Sequence, residues 1–201
     1  NEINTSQIHW EKGEDRYIPN TQGADNATIV WVNASVPRFD LPRWRGAGIV
    51  LPVFSLRSRT SFGVGDFGDL RKLIDWAHLC GLKAVQILPI NDTTRTGTWA
   101  DSYPYSAISV FALHPIYINL NEWGDLPLFQ KYREQGEELN ALPQLDYERT
   151  YALKTTFLHE LFALKGKEIC ISEAYSEFVR KNRSWLDPYV SFCHKRDKYG
   201  T

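Results

Sequence analysis

Two apolar runs separated by a helical pattern constrain the fold of this chain more than any other feature of its sequence. Residues 48–56 and 82–90 are each mostly apolar and have the length of a buried strand. Between them Asp69 is expected to open a helix and Gly81 to end it. Apolar residues recur there at the spacing of one helix face: Leu70, Leu73, Ile74 and Ala77. This order predicts an α/β fold with parallel strands that are covered on both faces.

A distinct loop follows each predicted strand. Because the carboxyl ends of parallel strands meet at one face, we expect the two loops to lie side by side. The first loop holds Gly63, Gly65 and Gly68. Its glycines fit neither the phosphate-binding loop nor the dinucleotide spacing. It therefore predicts a tight turn before a helix, and no nucleotide cofactor is expected.

The second loop combines aromatic rings with polar oxygens. Trp99, Tyr103 and Tyr105 lie within seven residues of the chain, together with Asp101 and Ser102. Aromatic faces cover the apolar C–H side of a pyranose, and carboxylate and hydroxyl oxygens bind its hydroxyls. This composition predicts a sugar-binding loop, in which Asp101 is the carboxylate expected to contact the ligand.

Four carboxylates lie near these loops, on Asp66, Asp69, Asp92 and Asp101. A retaining glycosidase needs two carboxylates about 5 Å apart, and any two of these residues are candidates on sequence alone. The alternative interpretation, which we favour, is that Asp69 caps a helix and Asp92 closes a turn with Asn91. The five histidines have no metal-ligand spacing, so no metal site is expected either.

Charge, hydropathy and cysteine content exclude several classes of partner. The net charge is −1, and the basic residues are dispersed, which argues against nucleic acid. No apolar run has the ~18 residues of a membrane span, so no membrane partner is expected. The odd number of cysteines excludes a complete internal set of disulfides. We interpret them as buried free thiols in a reducing compartment, the cytoplasm.

The two ends of the chain have other patterns. Residues 1–36 are polar with a short β-prone run, too little to fold alone, and predict the last strands of a β-sandwich module. Residues 37–45 predict a linker. Residues 114–120 predict a short extended segment, and the remainder is helical, with a last helix that begins after Pro188.

Three separated motifs resemble one family in order and spacing. Residues 61–68, 88–93 and 101–115 are similar to the first two strand–loop units of the 4-α-glucanotransferases, also called amylomaltases or glycoside hydrolase family 77. Residues 91–93 and 101–105 are most similar to the maltose-metabolising subgroup, in which starch-binding modules precede the catalytic domain. In the same way, residues 1–36 resemble the end of a family 20 carbohydrate-binding module. Shorter family members lack the residue equivalent to Tyr103.

The resemblance implies a (β/α)₈ TIM barrel that acts by a retaining double displacement. A donor α-1,4-glucan is cleaved, a covalent glucosyl–enzyme forms on an Asp, and an acceptor sugar replaces water. The family's catalytic carboxylates lie on later strands. Residues 46–201 are fewer than the ~250 of a whole barrel. We therefore expect an incomplete N-terminal portion of the barrel with a helical insertion and no catalytic carboxylates, inactive by itself.

What the resemblance transfers to this chain is substrate binding. Ser102 and Tyr105 match family positions that contact the sugar at the cleavage site, with Tyr105 as a stacking platform. Trp99 and Asp101 are neighbours in the same motif. The implied substrates are α-1,4-glucans, maltose and malto-oligosaccharides. The structural alternative for Tyr105 is a ring packed under the barrel mouth.

Two other functions remain open at the level of sequence. A non-catalytic α-glucan-binding protein would keep the aromatic loop, and an α-glucan hydrolase would use the same barrel with water as the acceptor. Only an enzyme needs an Asp and a Glu at later strand ends. Two strands also leave unpaired edges and an exposed apolar face, so this stretch alone is predicted to be aggregation-prone or partly unfolded.

Overall fold

The computed structural model describes residues 45–200 as two short strands with a helix between them, followed by three long helices. The strands are parallel, with Gly48 opposite Ala84, which confirms the strand–helix–strand prediction. The predicted β-module of residues 1–36 and nearly all of the linker of residues 37–45 lie outside the described residues. The elements are β1 (Gly48–Leu51), α1 (Phe67–Leu79), β2 (Ala84–Ile87), α2 (Pro127–Ala141), α3 (Tyr147–Cys170) and α4 (Glu173–Tyr199).

Helix α1 begins two residues earlier than predicted. Its cap is Asp66, whose carboxylate accepts the backbone N–H of Gly68 at 2.9 Å. Asp69 stands three residues after the cap and accepts the N–H of Asp66 at 3.3 Å, which completes a capping box. The prediction that Asp69 opens the helix was wrong. Both members of the box are aspartates, and either of them could cap a helix, so the sequence did not distinguish the cap from the residue three positions after it. The helix ends as expected, with Gly81 at a φ of 73° just beyond it.

Both strands are shorter than the apolar runs that predicted them, and neither is covered on both faces. Exposed and half-buried residues alternate along each strand. Pro52 has no N–H for a sheet, and the chain turns there into a 3-10 helix at Val53–Ser55. The described part of the chain assembles two strands into a sheet, and their faces are exposed as predicted for two strands alone. Burial on both faces is an expectation for strands within a whole barrel.

The main core lies between α2, α3 and the loop that follows β1. A Cβ added to Gly136 on α2 would collide with the ring of Phe62, so glycine allows the loop to approach the helix closely. This packing holds the loop against the helices. The buried members of the core are Phe62, Leu120, Leu128, Phe129, Tyr132, Leu139, Leu153, Phe157 and Leu161.

The structure differs from the sequence-based expectations in three further places. The segment predicted as extended forms 3-10 helices at Pro115–Tyr117 and Leu120–Trp123, the first with proline at its first position. Helix α4 begins at Glu173 and runs through Pro188, since a long helix on both sides tolerates one lost hydrogen bond. The cysteines are not buried: Cys80 and Cys170 lie exposed at helix ends, and Cys193 is half-buried.

Candidate functional site

The two loops that follow β1 and β2 share a cavity, as their positions after parallel strands predicted. The cavity has a volume of about 90 Å³. Residues from both loops line it, among them Val64 of the first and Trp99, Asp101 and Ser102 of the second. The segment after the second loop contributes His114, and the start of α3 contributes Tyr147. We call this space the interloop cavity.

Asp101 is buried and organises the second loop. Its Oδ2 accepts the backbone N–H groups of Arg95 at 3.0 Å, Thr96 at 2.8 Å and Gly97 at 2.6 Å. Gly97 has a φ of 70°, a conformation that favours glycine, and it brings the third N–H to the carboxylate. Asp101 therefore lines the cavity while one of its oxygens holds the loop backbone.

The aromatic rings of the second loop face outward. Trp99 is 65 % exposed, Tyr103 59 % and Tyr105 60 %. The rings of Tyr103 and Tyr105 lie 5.4 Å apart, tilted by 50°. The backbone N–H of Trp99 donates to the Glu148 carboxylate on α3 at 3.0 Å, which fixes the loop to that helix. Large exposed aromatic faces on a held loop are suited to stacking on a flat ligand.

The four predicted site residues do not all converge. Trp99, Asp101 and Ser102 line the interloop cavity, and Tyr105 lies outside its lining. Within the described residues the ring of Tyr105 is exposed.

The other candidate carboxylates hold structure. Asp92 is buried, and its Oδ1 accepts the N–H of Thr94 at 2.9 Å, as expected for a turn. Its Oδ2 accepts the Tyr189 hydroxyl of α4 at 2.6 Å. Asp69 accepts the hydroxyls of Ser58 and Ser61, both at 2.6 Å. Neither carboxylate is free to act as an acid or a nucleophile.

His114 and Tyr147 form a buried polar pair that sequence reasoning missed. The backbone N–H of Ile116 donates to His114 Nδ1 at 3.1 Å, and His114 Nε2 lies 3.0 Å from Tyr147 Oη. Burial lowers the pKa of His114 to about 4, so the ring is neutral near pH 7. The position of His114 before Pro115 was a local signal for a cap. Its contact with Tyr147, 33 residues away, had none.

Lys154 is the second functional group that the sequence did not reveal. It is 1 % exposed, and its Nζ donates to the carbonyls of Ile116 at 2.7 Å and Ile118 at 2.8 Å. Asp66 Oδ2 lies 3.4 Å away. Burial lowers the pKa of Lys154 to about 8, against the opposing effect of Asp66. A signal was present, since Lys154 occupies the buried stripe of α3 seven residues before Leu161.

Most of this chain is similar to proteins of one known family. The family model described as 4-alpha-glucanotransferase matches residues 51–201. The chain belongs to the 4-alpha-glucanotransferase family. Members similar to it include 4-alpha-glucanotransferase DPE2 of Oryza sativa subsp. japonica, 42 % identical over 79 % of this chain. A second is the 4-alpha-glucanotransferase of Chlamydia muridarum, 34 % identical over 75 % of this chain. The family resemblance drawn from the three motifs is therefore confirmed.

A solved structure supports the fold. The described chain resembles amylomaltase from Corynebacterium glutamicum with a TM-score of 0.51 and 24 % identity, over 58 % of this chain and 18 % of that one. The chain spans 17 % of the rice relative and 28 % of the chlamydial one. Between residues 45 and 200, no helix is both long and apolar enough to cross a membrane.

Proposed function

We propose that this chain supplies the glucan-binding loop and the first strand–helix–strand unit of a 4-α-glucanotransferase. The enzyme would transfer glucosyl or maltosyl units between α-1,4-glucans by a retaining double displacement. The observation that carries the proposal is the second loop, where the exposed ring of Trp99 lines a cavity together with Asp101 and Ser102, and the ring of Tyr105 is exposed on the same loop. Membership of the family supports the reaction.

Each site residue has a distinct role in this proposal. Trp99 and Tyr105 offer exposed faces on which sugar rings stack. The hydroxyl of Ser102 hydrogen-bonds a sugar oxygen at the cavity mouth. Asp101 holds the loop backbone through Oδ2, and its remaining lone pairs accept hydrogen bonds from the ligand. The substrates we propose are α-1,4-glucans, maltose and malto-oligosaccharides.

The architecture of the whole enzyme follows from the same proposal. The parallel pair β1–β2 begins a (β/α)₈ barrel, and α2 to α4 form a helical insertion in it. Residues 1–36 end a carbohydrate-binding module. The proposed location is the cytoplasm, which is supported by the exposed free thiols of Cys80 and Cys170, since such thiols persist in reducing compartments.

The proposal is tested by transfer assays on the polypeptide that contains this whole chain. Incubation with a malto-oligosaccharide and labelled glucose should give a ladder of labelled longer products. Trp99→Ala and Tyr105→Ala should each lower kcat/KM by about tenfold, as expected for the loss of one aromatic platform. Tyr199→Ala removes an equally exposed ring from α4 and is the matched control.

Two outcomes would contradict the proposal. Release of free sugar without longer products would identify a hydrolase. Binding of malto-oligosaccharides without any turnover would identify a non-catalytic glucan-binding protein. Family membership favours transfer over both.

A further inference from the structure

Two buried polar side chains at the interloop cavity have no role in the proposed function. His114 and Tyr147 are both buried, and both line the cavity beside Asp101 and Ser102. Burial of a polar group costs free energy unless each of its donors and acceptors has a partner. The directions of their hydrogen bonds therefore show which donor or acceptor of each side chain still lacks a partner.

The tautomer of His114 is fixed by its backbone contact. Nδ1 accepts the N–H of Ile116 and so carries no hydrogen. In a neutral ring the hydrogen is then on Nε2, which donates it to Tyr147 Oη at 3.0 Å. Tyr147 is thus an acceptor in this pair, and its own hydroxyl proton has to be donated to another atom.

The described residues provide no second partner for that proton. Within residues 45–200, the only hydrogen bond of Tyr147 Oη is the one to His114. Burial raises the pKa of Tyr147, so the hydroxyl stays protonated. A donor fixed in this way at a cavity is available to an acceptor oxygen that enters the cavity.

The size of the cavity limits what can enter it. Pockets for whole small ligands have volumes of about 300–1,000 Å³, whereas the interloop cavity has about 90 Å³. It accommodates one edge of a sugar, such as a hydroxyl or a hydroxymethyl group, while the rest of the ring lies against Trp99 at the mouth.

We propose that Tyr147 is a sugar-binding residue that donates its hydroxyl proton to one hydroxyl oxygen of the bound glucan, with His114 as the positioning residue that directs it. This inference rests on the proposed function, because the sugar is the ligand of the same loop. It adds specificity: the pair recognises one particular hydroxyl, whereas aromatic stacking recognises only the ring face.

The test uses maltosides that each lack one hydroxyl, with the polypeptide that carries this chain in full. In the unaltered protein, one deoxy position should lower kcat/KM by roughly 2- to 10-fold through Tyr147. In Tyr147→Phe, the penalty at that position should disappear while the penalties at the other positions remain. A structural role alone would lower kcat/KM for all substrates equally and leave every penalty in place, and that result would overturn the inference.

The matched control is Tyr132→Phe. Tyr132 is 6 % exposed and Tyr147 5 %, and the Tyr132 hydroxyl also makes a hydrogen bond, to Glu160 at 2.8 Å. It lies on α2, outside the interloop cavity. The variant loses a comparable hydrogen bond and should keep every deoxy penalty of the unaltered protein.

A second variant keeps the test decisive if Tyr147→Phe does not fold. In His114→Asn, the shorter side chain still accepts the N–H of Ile116 as a cap but does not reach Tyr147. The penalty at the same deoxy position should decrease, and an unchanged set of penalties would overturn the inference. If the unaltered protein neither binds nor converts any glucan, the proposed function itself fails. If it converts glucans but the variants leave every deoxy penalty unchanged, only the inference about Tyr147 fails.

Discussion

The loop after β1 and the loop after β2 both contain aromatic residues and a buried carboxylate. The first, which we call the closed loop, packs into the core, whereas the second, the open loop, exposes its aromatic rings to solvent. In the first, Phe62 and Val64 are buried, and Phe62 packs edge-on against Phe129 of α2 at 5.4 Å. In the second, Trp99 and Tyr105 are exposed. The closed loop has its aromatic residue in the helical core, whereas the open loop leaves its rings available to a ligand.

A buried carboxylate organises each loop, but the two are compensated differently. Asp66 accepts the N–H of Gly68 and lies beside the ammonium of Lys154. Asp101 accepts three consecutive backbone N–H groups. The carboxylates therefore support the architecture of both loops, and the loops differ in whether α2 and α3 cover their aromatic rings.

The largest effect is expected in the closed loop, from Lys154→Met. The substitution leaves Asp66 and two carbonyls without their buried partner, which costs about 3–5 kcal/mol for a broken buried pair. Denaturant unfolding measures it. Lys131→Met, which removes an exposed bridge to Glu160, is the control and should change little. Equal unfolding midpoints for the two variants would show that Lys154 does not hold the closed loop.

A smaller effect is expected from Asp101→Asn in the open loop. A neutral amide oxygen accepts backbone N–H groups more weakly than a carboxylate, and we expect a loss of about 1–3 kcal/mol. Amide hydrogen exchange should increase at Thr96 and Gly97. Asp187→Asn, which breaks an exposed bridge to Arg183 on α4, provides the comparison. Unchanged exchange at both amides would mean that the carboxylate does not order the loop.

Features with a local cause were predictable from the sequence. The face of α1 and its end at Gly81 follow from spacing and from the conformational freedom of glycine. The exposed aromatic rings and the buried carboxylate of the second loop also lie within a few residues of one another. The start of α1 was misplaced by two residues, and both Asp66 and Asp69 are acidic residues able to cap a helix.

Features with a distant cause were not predictable. The bonds of Lys154 to Ile116 and of His114 to Tyr147 join residues 38 and 33 positions apart. No local periodicity encodes such pairs, because tertiary packing decides which polar groups meet. The predicted burial of the cysteines failed because it too depends on tertiary packing.

A pH-dependent effect on stability is expected at the boundary of the open loop. The pKa of His114 is lowered to about 4 in the folded protein, below its ordinary value of 6.5. Between these values the unfolded chain binds more protons, so the free energy of unfolding falls as the pH falls from 6.5 to 4. The slope is up to about 1.4 kcal/mol per pH unit. His114→Asn should lack this component, and identical slopes in both proteins would contradict the neutral buried histidine.

The smallest effect on stability is expected for Trp99→Ala, although this variant should bind glucan weakly. Trp99→Ala removes an exposed ring and should change the free energy of unfolding by less than about 0.5 kcal/mol. Phe62→Ala, its counterpart in the closed loop, should cost about 3–5 kcal/mol because it leaves a cavity in the core. Thermal unfolding and malto-oligosaccharide titration of both variants separate the two roles. Trp99→Ala should bind weakly and fold normally, and a large loss of stability would place that ring in the packing of the protein instead of its binding surface.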